Sequence, residues 1–355
     1  GLRDRINRVS HFDVNVSDLE RARAFYEYTT PLIVTAELEA AQDFPSLGIQ
    51  GGRFRGYRLE STTQSPAFPA IHLIQWSNPT PVGLPYAHHA NRGWYRICVG
   101  VADIDAARER VEAAGSIPFQ PTSDFFHQHA GPGIPPTPYR MFVAPDPDGI
   151  AVEWVFDWRA ALAAKQRSSL DAEQYYAAKL RTDVERIMTV ANNTADLDRH
   201  LPFYTDILGL DFVAGVQTPG AVPNLHSAGG GDTSFEGALF GTRGERGFFL
   251  AWLTWSETHD LGPAYAEPHH LGIVRCAFEV DDLDLCHRIL AEASHRGQPV
   301  ADLTEPEVWE LGPRLGAVRT VNFADPDGNG FQLIERPRSK ARLHPWSDAT
   351  RGDAT

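Results

Sequence analysis

The chain has 355 residues, of which 42% are hydrophobic and 22% are charged, so it has the composition of a globular protein of about two domains, not of a disordered one. Its 46 acidic and 32 basic side chains give a net charge of −14, which would repel nucleic acid over most of the surface. No apolar run approaches the roughly 20 residues that cross a bilayer, and the first residues lack an apolar signal core. We therefore expect a cytoplasmic protein that binds a small molecule, and neither nucleic acid nor a membrane.

The first predicted elements are an alternating strand and an amphipathic helix. HFDVNV, residues 11–16, alternates between apolar and polar side chains, and Ser17 or Asp18 is a suitable N-cap for the helix that follows. The same order returns in YRICVGV, residues 95–101, and in ADIDAARERVEAAG, where Gly115 stops the helix. Strands follow each helix and end in AIHLIQW and IAVEWVF. Residues 1–158 are therefore predicted to contain two βαβββ units.

A second copy of this pattern follows at a nearly constant offset. DLERARAFY begins at Asp18 and DLDRHLPFY at Asp196, 178 residues later, while the two DPDG turns begin at Asp146 and Asp325, 179 residues apart. Such agreement predicts a duplicated domain. We place the repeats at residues 1–158 and 186–337, with an Ala-, Gln-, Lys- and Glu-rich helical linker at 159–185 and a polar tail at 338–355.

These strings resemble the vicinal oxygen chelate superfamily, which includes glyoxalase I, methylmalonyl-CoA epimerase, extradiol dioxygenases and bleomycin-sequestering proteins. The similarity lies in HFDVNVSDLERARAFY, in FYTDILGLDF at 203–212, in FEVDDLD at 278–284 and in the two DPDG turns. It implies an α+β fold of tandem duplicated domains, in which four βαβββ units form two curled-sheet cups. It also implies a metal site whose ligands come from the first and last strands of each unit within one domain.

The resemblance assigns the ligand positions of the first repeat to His11, His72, Arg96 and Glu153. An arginine cannot release a proton to bind a cation, so we predict one divalent ion held by His11, His72 and Glu153. Two imidazoles and a carboxylate suit Fe, Mn, Co, Ni or Zn. Strand alternation places each of these side chains opposite the apolar face of its strand. The second repeat is predicted to have lost its metal, because its equivalent positions hold Thr189, Ala251, Arg275 and Gln332.

Other polar residues are candidate catalytic groups around that ion. Glu153, or one of His127 and His129 in the Gly/Pro-rich segment FFHQHAGPGIPP, would act as the base. Arg96 would steady a developing oxyanion, and Asp13 faces the same side of its strand as His11. A DPDG sequence by itself indicates a turn and nothing more.

The resemblance leaves three functional hypotheses. The preferred one is a divalent-metal-dependent isomerase or epimerase of a polyhydroxylated α-hydroxyketone, cyclitol- or sugar-like, which acts through a metal-stabilised enediolate. In length and ligand set the chain looks most like the two-domain 2-epi-5-epi-valiolone epimerases. An Fe(II) extradiol-type ring-cleaving dioxygenase is the alternative, although Val143 stands where those enzymes carry a tyrosine. The third is a small-molecule sequestering (resistance) protein, and the second repeat would complete the core or a homodimer interface.

Overall fold

The computed structural model describes residues 1–61, 68–130, 137–156, 185–218, 221–223, 232–243, 248–256 and 264–335. The side chains of residues 123–139 and 222–223 are outside this description. The predicted tail, and the predicted linker apart from Glu185, also lie outside the described residues. None of the described helices is long and apolar enough to span a bilayer.

The first repeat contains two units that each run strand, helix, three strands. The first unit comprises β1 (Ile6–Asn15), α1 (Leu19–Thr29), β2 (Leu32–Phe44), β3 (Ile49–Ser61) and β4 (Ala70–Asn78). The second comprises β5 (Gly93–Gly100), α2 (Ile104–Ala113), β6 (Ser123–Ala130), β7 (Thr137–Pro145) and β8 (Ala151–Phe156). Asp18 caps α1 by accepting the amide of Arg21, and Gly115 follows the end of α2 in the left-handed conformation, with φ of 82°, as the sequence predicted.

The second repeat has the same order with small additions. The third unit comprises β9 (Ile187–Asn193), α3 (Leu197–Pro202), β10 (Asp211–Gln217), β11 (Val222–Pro223), β12 (Asp232–Thr233), β13 (Phe235–Gly241) and β14 (Phe249–Trp255). The fourth comprises β15 (Gly272–Val280), α4 (Leu283–His295), β16 (Glu307–Glu310), β17 (Ala317–Ala324) and β18 (Gly330–Glu335). The predicted α+β fold of four βαβββ units is therefore confirmed.

The units pair across the two repeats and not within them. Units one and four form a sheet in the order β16-β17-β18-β15-β1-β4-β3-β2, which we call the first cup. Units two and three form a closed barrel in the order β10-β13-β14-β9-β5-β8-β7-β6, which we call the barrel. The junctions are antiparallel pairs, β1 with β15 and β5 with β9. The expectation that each repeat builds its own cup is therefore wrong.

Two asparagines at equivalent positions hold this exchange in place. Asn193, at the end of β9, is fully buried and donates its amide to the carbonyls of His89 and Asn91, which lead into β5 of the other repeat. Its oxygen accepts the indole N–H of Trp255 at 2.9 Å. Asn15 makes the matching set of contacts in the opposite direction, with Pro268, His270 and Trp76. Each amide satisfies buried polar groups that a sheet ladder does not reach.

The DPDG turns tie the two units of each repeat together. The buried carboxylate of Asp146 accepts the hydroxyl of Tyr26 on α1 at 3.2 Å, and Asp325 accepts that of Tyr204 at 2.6 Å. Asp146 also accepts the amide of Ile150, which fixes the turn. Burial raises the pKa of Asp146 to about 7. The sequence indicated only a turn here, whereas the structure gives the turn an anchoring role.

One apolar cluster contains residues from both sheets, so the first cup and the barrel share a core. Phe12 of β1 packs edge-on against Trp94 of β5, with ring centroids 5.6 Å apart, and Trp94 packs against Phe331 of β18 at 5.4 Å. The Trp94 indole also donates to the carbonyl of Gly330. Two smaller clusters line the inside of the barrel and the wall of the first cup.

The Asn193 contacts predict a large stability loss on truncation. Asn193→Ala leaves a buried indole N–H and two carbonyls without their partner, so we expect the free energy of unfolding to fall by about 2–4 kcal/mol in urea denaturation. Asn7→Ala is the matched control, because Asn7 makes one exposed hydrogen bond, to Asp281, and should shift it by less than about 0.5 kcal/mol. Equal effects of the two changes would contradict a locking role for Asn193.

Candidate metal centre

Two histidines and an aspartate meet on the floor of the first cup. His11 and Asp13 project from the same face of β1, and His72 lies opposite Asp13 on the neighbouring β4. All three are buried, with exposed fractions of 4% for His11, 2% for Asp13 and 3% for His72. The Oδ1 atom of Asp13 lies 3.4 Å from His11 Nε2 and 3.4 Å from His72 Nδ1. One carboxylate oxygen therefore faces a nitrogen of each imidazole.

The spacing of these donors suits a single metal ion. Donors about 2.0–2.2 Å from one ion lie about 3–3.5 Å apart when the angle at the ion is about 90–110°. The three donor atoms lie within 4.8 Å of one another, and among the described residues no second group of His, Cys, Asp and Glu does so. The imidazole rings are stacked with centroids 3.7 Å apart, so the rings would need to turn for both nitrogens to face one ion. The residues present thus fit a divalent ion in number, type and spacing.

Arg275 of β15 fixes the charge of Asp13. Its Nε and Nη2 atoms donate to Asp13 Oδ2 at 2.8 and 2.6 Å, and its guanidinium lies over the ring of Trp309 at 4.9 Å. Burial raises the pKa of Asp13, but Arg275 and both histidines outweigh burial and hold the pKa below its ordinary value. Asp13 is therefore a carboxylate at neutral pH, with Oδ2 bound by arginine and Oδ1 turned to the histidines.

Amide side chains from the fourth unit complete the polar floor. Asn322 of β17 accepts from Arg275 Nη1 at 3.4 Å and from Gln332 Nε2 of β18 at 3.3 Å. Asn322 also donates to the hydroxyl of Ser46, which follows β2 in the first unit. The floor of the first cup is thus built by the first and last units together.

Glu153 and Arg96, which the sequence placed beside the two histidines, lie in the barrel. Glu153 is on β8, and its Oε2 atom forms a buried ion pair with Arg96 Nε of β5 at 2.5 Å. Burial raises the pKa of Glu153, and Arg96 offsets only part of this rise. The structure does not bring Glu153 to His11 and His72, because unit two pairs with unit three. The third donor beside the histidines is Asp13, which the sequence offered only as a candidate catalytic group.

His127 and His129 also belong to the barrel. The sequence placed them in a loop, but their backbone forms part of β6, where His127 pairs with Thr137 and His129 with Val216. Their side chains lie outside the description, as do residues 131–136 of the predicted loop. Their strand belongs to a different sheet from that of His11 and His72.

The cluster forms the polar end of a cavity of about 430 Å³, a volume that includes its open part. The polar residues along it are His11, Asp13, His72 and Gln332. Its walls are apolar and aromatic and include Leu38, Phe54, Ile74, Trp309, Leu311 and Val318. Such a cavity suits a ligand with a polar head and an apolar body.

Side chains join the two edges of the first cup beside this cavity. The amide of Gln42 on β2 accepts the backbone N–H of Glu310 and donates to the carbonyl of Val308, both at 2.8 Å. Ser46 donates its amide and hydroxyl to Glu307 of β16. The first cup therefore closes through side chains where the barrel closes through a backbone ladder.

Comparison with known proteins follows the repeat. The family model of the Glyoxalase/Bleomycin resistance protein/Dioxygenase superfamily matches residues 8–154 and 186–333. Glyoxalase I from Zea mays is 17% identical over 92% of each chain, with a TM-score of 0.56. A candidate dioxygenase from Bacillus subtilis is 13% identical over 94% of this chain and 86% of its own, with a TM-score of 0.51. These two similarities concern the fold alone. No curated protein matches the chain.

The Asp13–Arg275 pair predicts a pH-dependent stability difference. Asp13→Asn leaves a buried guanidinium without its anion, so the free energy of unfolding at pH 7 should fall by about 3–5 kcal/mol. Because the folded pKa of Asp13 is depressed, its contribution is complete above the unfolded value of about 3.9 and declines as the pH falls below it.

Urea denaturation of wild type and Asp13→Asn at pH 7 and pH 3 checks this. The gap between them should narrow by about 1 kcal/mol at pH 3. Asp4→Asn, which removes one member of an exposed ion pair with Arg243, is the control and should change little at either pH. A gap that widens on acidification would rule out a depressed pKa.

Proposed function

The chain belongs to the Glyoxalase/Bleomycin resistance protein/Dioxygenase superfamily, and from this we propose that its first cup is a metal-dependent active site for a small molecule with adjacent oxygen atoms on an apolar body. The proposal is carried by the three donors His11, Asp13 and His72, which face one another at the polar end of an apolar-walled cavity. When bound there, a divalent ion would polarise the substrate oxygens and, as Fe(II), would provide redox chemistry with O₂.

An oxygen-using reaction on an aromatic substrate agrees best with this site. Two histidines and one carboxylate are the donor set of non-haem Fe(II) oxygenases, which keep coordination positions open. The walls favour a flat apolar body, since each hydroxyl of a polyol left unpaired against Leu38, Phe54 or Trp309 would cost about 1–3 kcal/mol. We therefore prefer the dioxygenase alternative to an epimerase of a polyhydroxylated ketone.

The placement of Val143 removes one objection to this reaction. Val143 lies on β7 of the barrel, and so away from the first cup. The position 179 residues later is Asn322, a polar residue that contacts Arg275 and Gln332 on the floor of the first cup. Asn322 and Gln332 are therefore the candidate groups for orienting a polar substituent of the substrate, and Arg275 is the candidate for balancing its negative charge.

Isomerisation is the second candidate, because Asp13 is a carboxylate at the cavity floor that could accept a proton from a bound hydroxyketone. Glu153, proposed from the sequence as the base, is paired with Arg96 in the barrel. Among the described residues that line the cavity, the titratable ones are the three proposed ligands. A base would thus have to come from the metal set, and the depressed pKa of Asp13 makes that residue a weak one.

Metal binding by single variants tests the ligand set. Titration of metal-free protein with Co(II) or Fe(II) should give one equivalent bound in wild type, and His11→Ala and His72→Ala should weaken binding by more than about 100-fold. Glu153→Gln is the discriminating variant and should bind within about threefold of wild type. Loss of binding in Glu153→Gln would favour the ligand set inferred from the sequence, and no binding in wild type would favour a sequestering protein.

Two assays separate the candidate reactions. Fe(II)-loaded protein given a panel of catechols should consume O₂ in step with ring cleavage, and metal-free protein should not. Under anaerobic conditions in D₂O, a panel of hydroxyketones should take up no deuterium at carbon. Deuterium uptake that depends on the metal, without O₂ consumption, would establish the isomerase in place of the oxygenase, and turnover in metal-free protein would exclude both.

A further inference from the structure

Arg58 contacts the metal cluster from its third side. Arg58 of β3 faces His72 across the strand pair, and its Nη1 atom lies 2.9 Å from His72 Nε2. A guanidinium has donors and no acceptor, so His72 Nε2 accepts in this contact. The neutral ring then carries its proton on Nδ1, which lies 3.4 Å from Asp13 Oδ1. In this arrangement neither ring nitrogen of His72 offers a lone pair to an ion.

The contact is built into the first cup. Glu60, two residues along β3, accepts from Arg58 Nε at 3.1 Å and from Nη2 at 2.8 Å, which orients the guanidinium. Arg58 is only 4% exposed. A ligating histidine normally donates its second N–H to a carboxylate or carbonyl, which strengthens it as a ligand. At His72 that position is taken by a cation, which also repels a divalent ion.

We propose that Arg58 is a positioning residue that holds the first cup in a metal-free form, and that a divalent ion binds His72 only when Arg58 turns away. This inference rests on the proposed metal centre and adds a competitor to it. The ion pairs Arg58–Glu60 and Arg275–Asp13 already balance the charge of the floor with both histidines neutral. Removing the Arg58 charge therefore favours entry of a cation.

Metal affinity of the full chain tests this role. Arg58→Met should bind Co(II) about 10-fold or more tightly than wild type, because it removes a charged hydrogen bond to His72 and a nearby positive charge. Arg55→Met is the matched control, since Arg55 lies on the exposed face of the same strand, and its affinity should not change. If Arg58→Met alone does not fold, Arg58→Met with Glu60→Gln removes the pair together and should show the same gain.

The tautomer of His72 gives a readout without metal. ¹⁵N NMR of the metal-free wild type should show His72 protonated on Nδ1, and Arg58→Met should lose this fixed form. An Nε2-protonated ring in wild type, or an affinity in Arg58→Met equal to or below that of wild type, would overturn the role of Arg58 and leave the proposed function standing. Failure of every form to bind Co(II) would overturn both.

Discussion

The antiparallel pairing of β1 with β15 brings the first and fourth units into one sheet, and the candidate site depends on it. The pairing places Asp13 directly opposite Arg275, so a carboxylate from the start of the chain is neutralised by a guanidinium from its last quarter. A buried charge needs such a partner. Without the pairing, His11 and His72 would still lie on adjacent strands, but the aspartate between them would lack its counter-charge, and the cavity would lack the wall that Trp309 and Leu311 provide.

The first cup and the barrel solve the same electrostatic problem with different chemistry. Each carries an arginine at the equivalent position of the central strand pair, Arg275 in one and Arg96 in the other. Arg96 pairs with Glu153 and leaves a barrel lined mainly by apolar residues, whereas Arg275 takes one oxygen of Asp13 and leaves the other facing two imidazoles. The barrel uses its charges for packing, and the first cup keeps a carboxylate oxygen for a ligand.

The repeat, the unit order and the helix caps could be predicted from the sequence because they depend on local patterns, such as Asp18 before an amphipathic segment. The histidines were found because a strand face and the family resemblance agreed. The partner of each unit could not be predicted, because the repeats present equivalent first strands and local sequence does not say which of them pair. That single ambiguity moved Glu153 into the barrel and gave His11 and His72 the company of Asp13, Arg275 and Gln332.

The crossed pairing of units also orders events during synthesis of the chain. His11, Asp13 and His72 leave the ribosome early, whereas Arg275 and Gln332 follow some 200 residues later, and loops of this length close slowly. Until then, Asp13 keeps its hydration, because nothing else in the first unit neutralises it. Units two and three are neighbours in the chain and can pair first, so the barrel is the natural nucleus on which the two outer units meet. The candidate site is therefore the last part of the molecule to be completed.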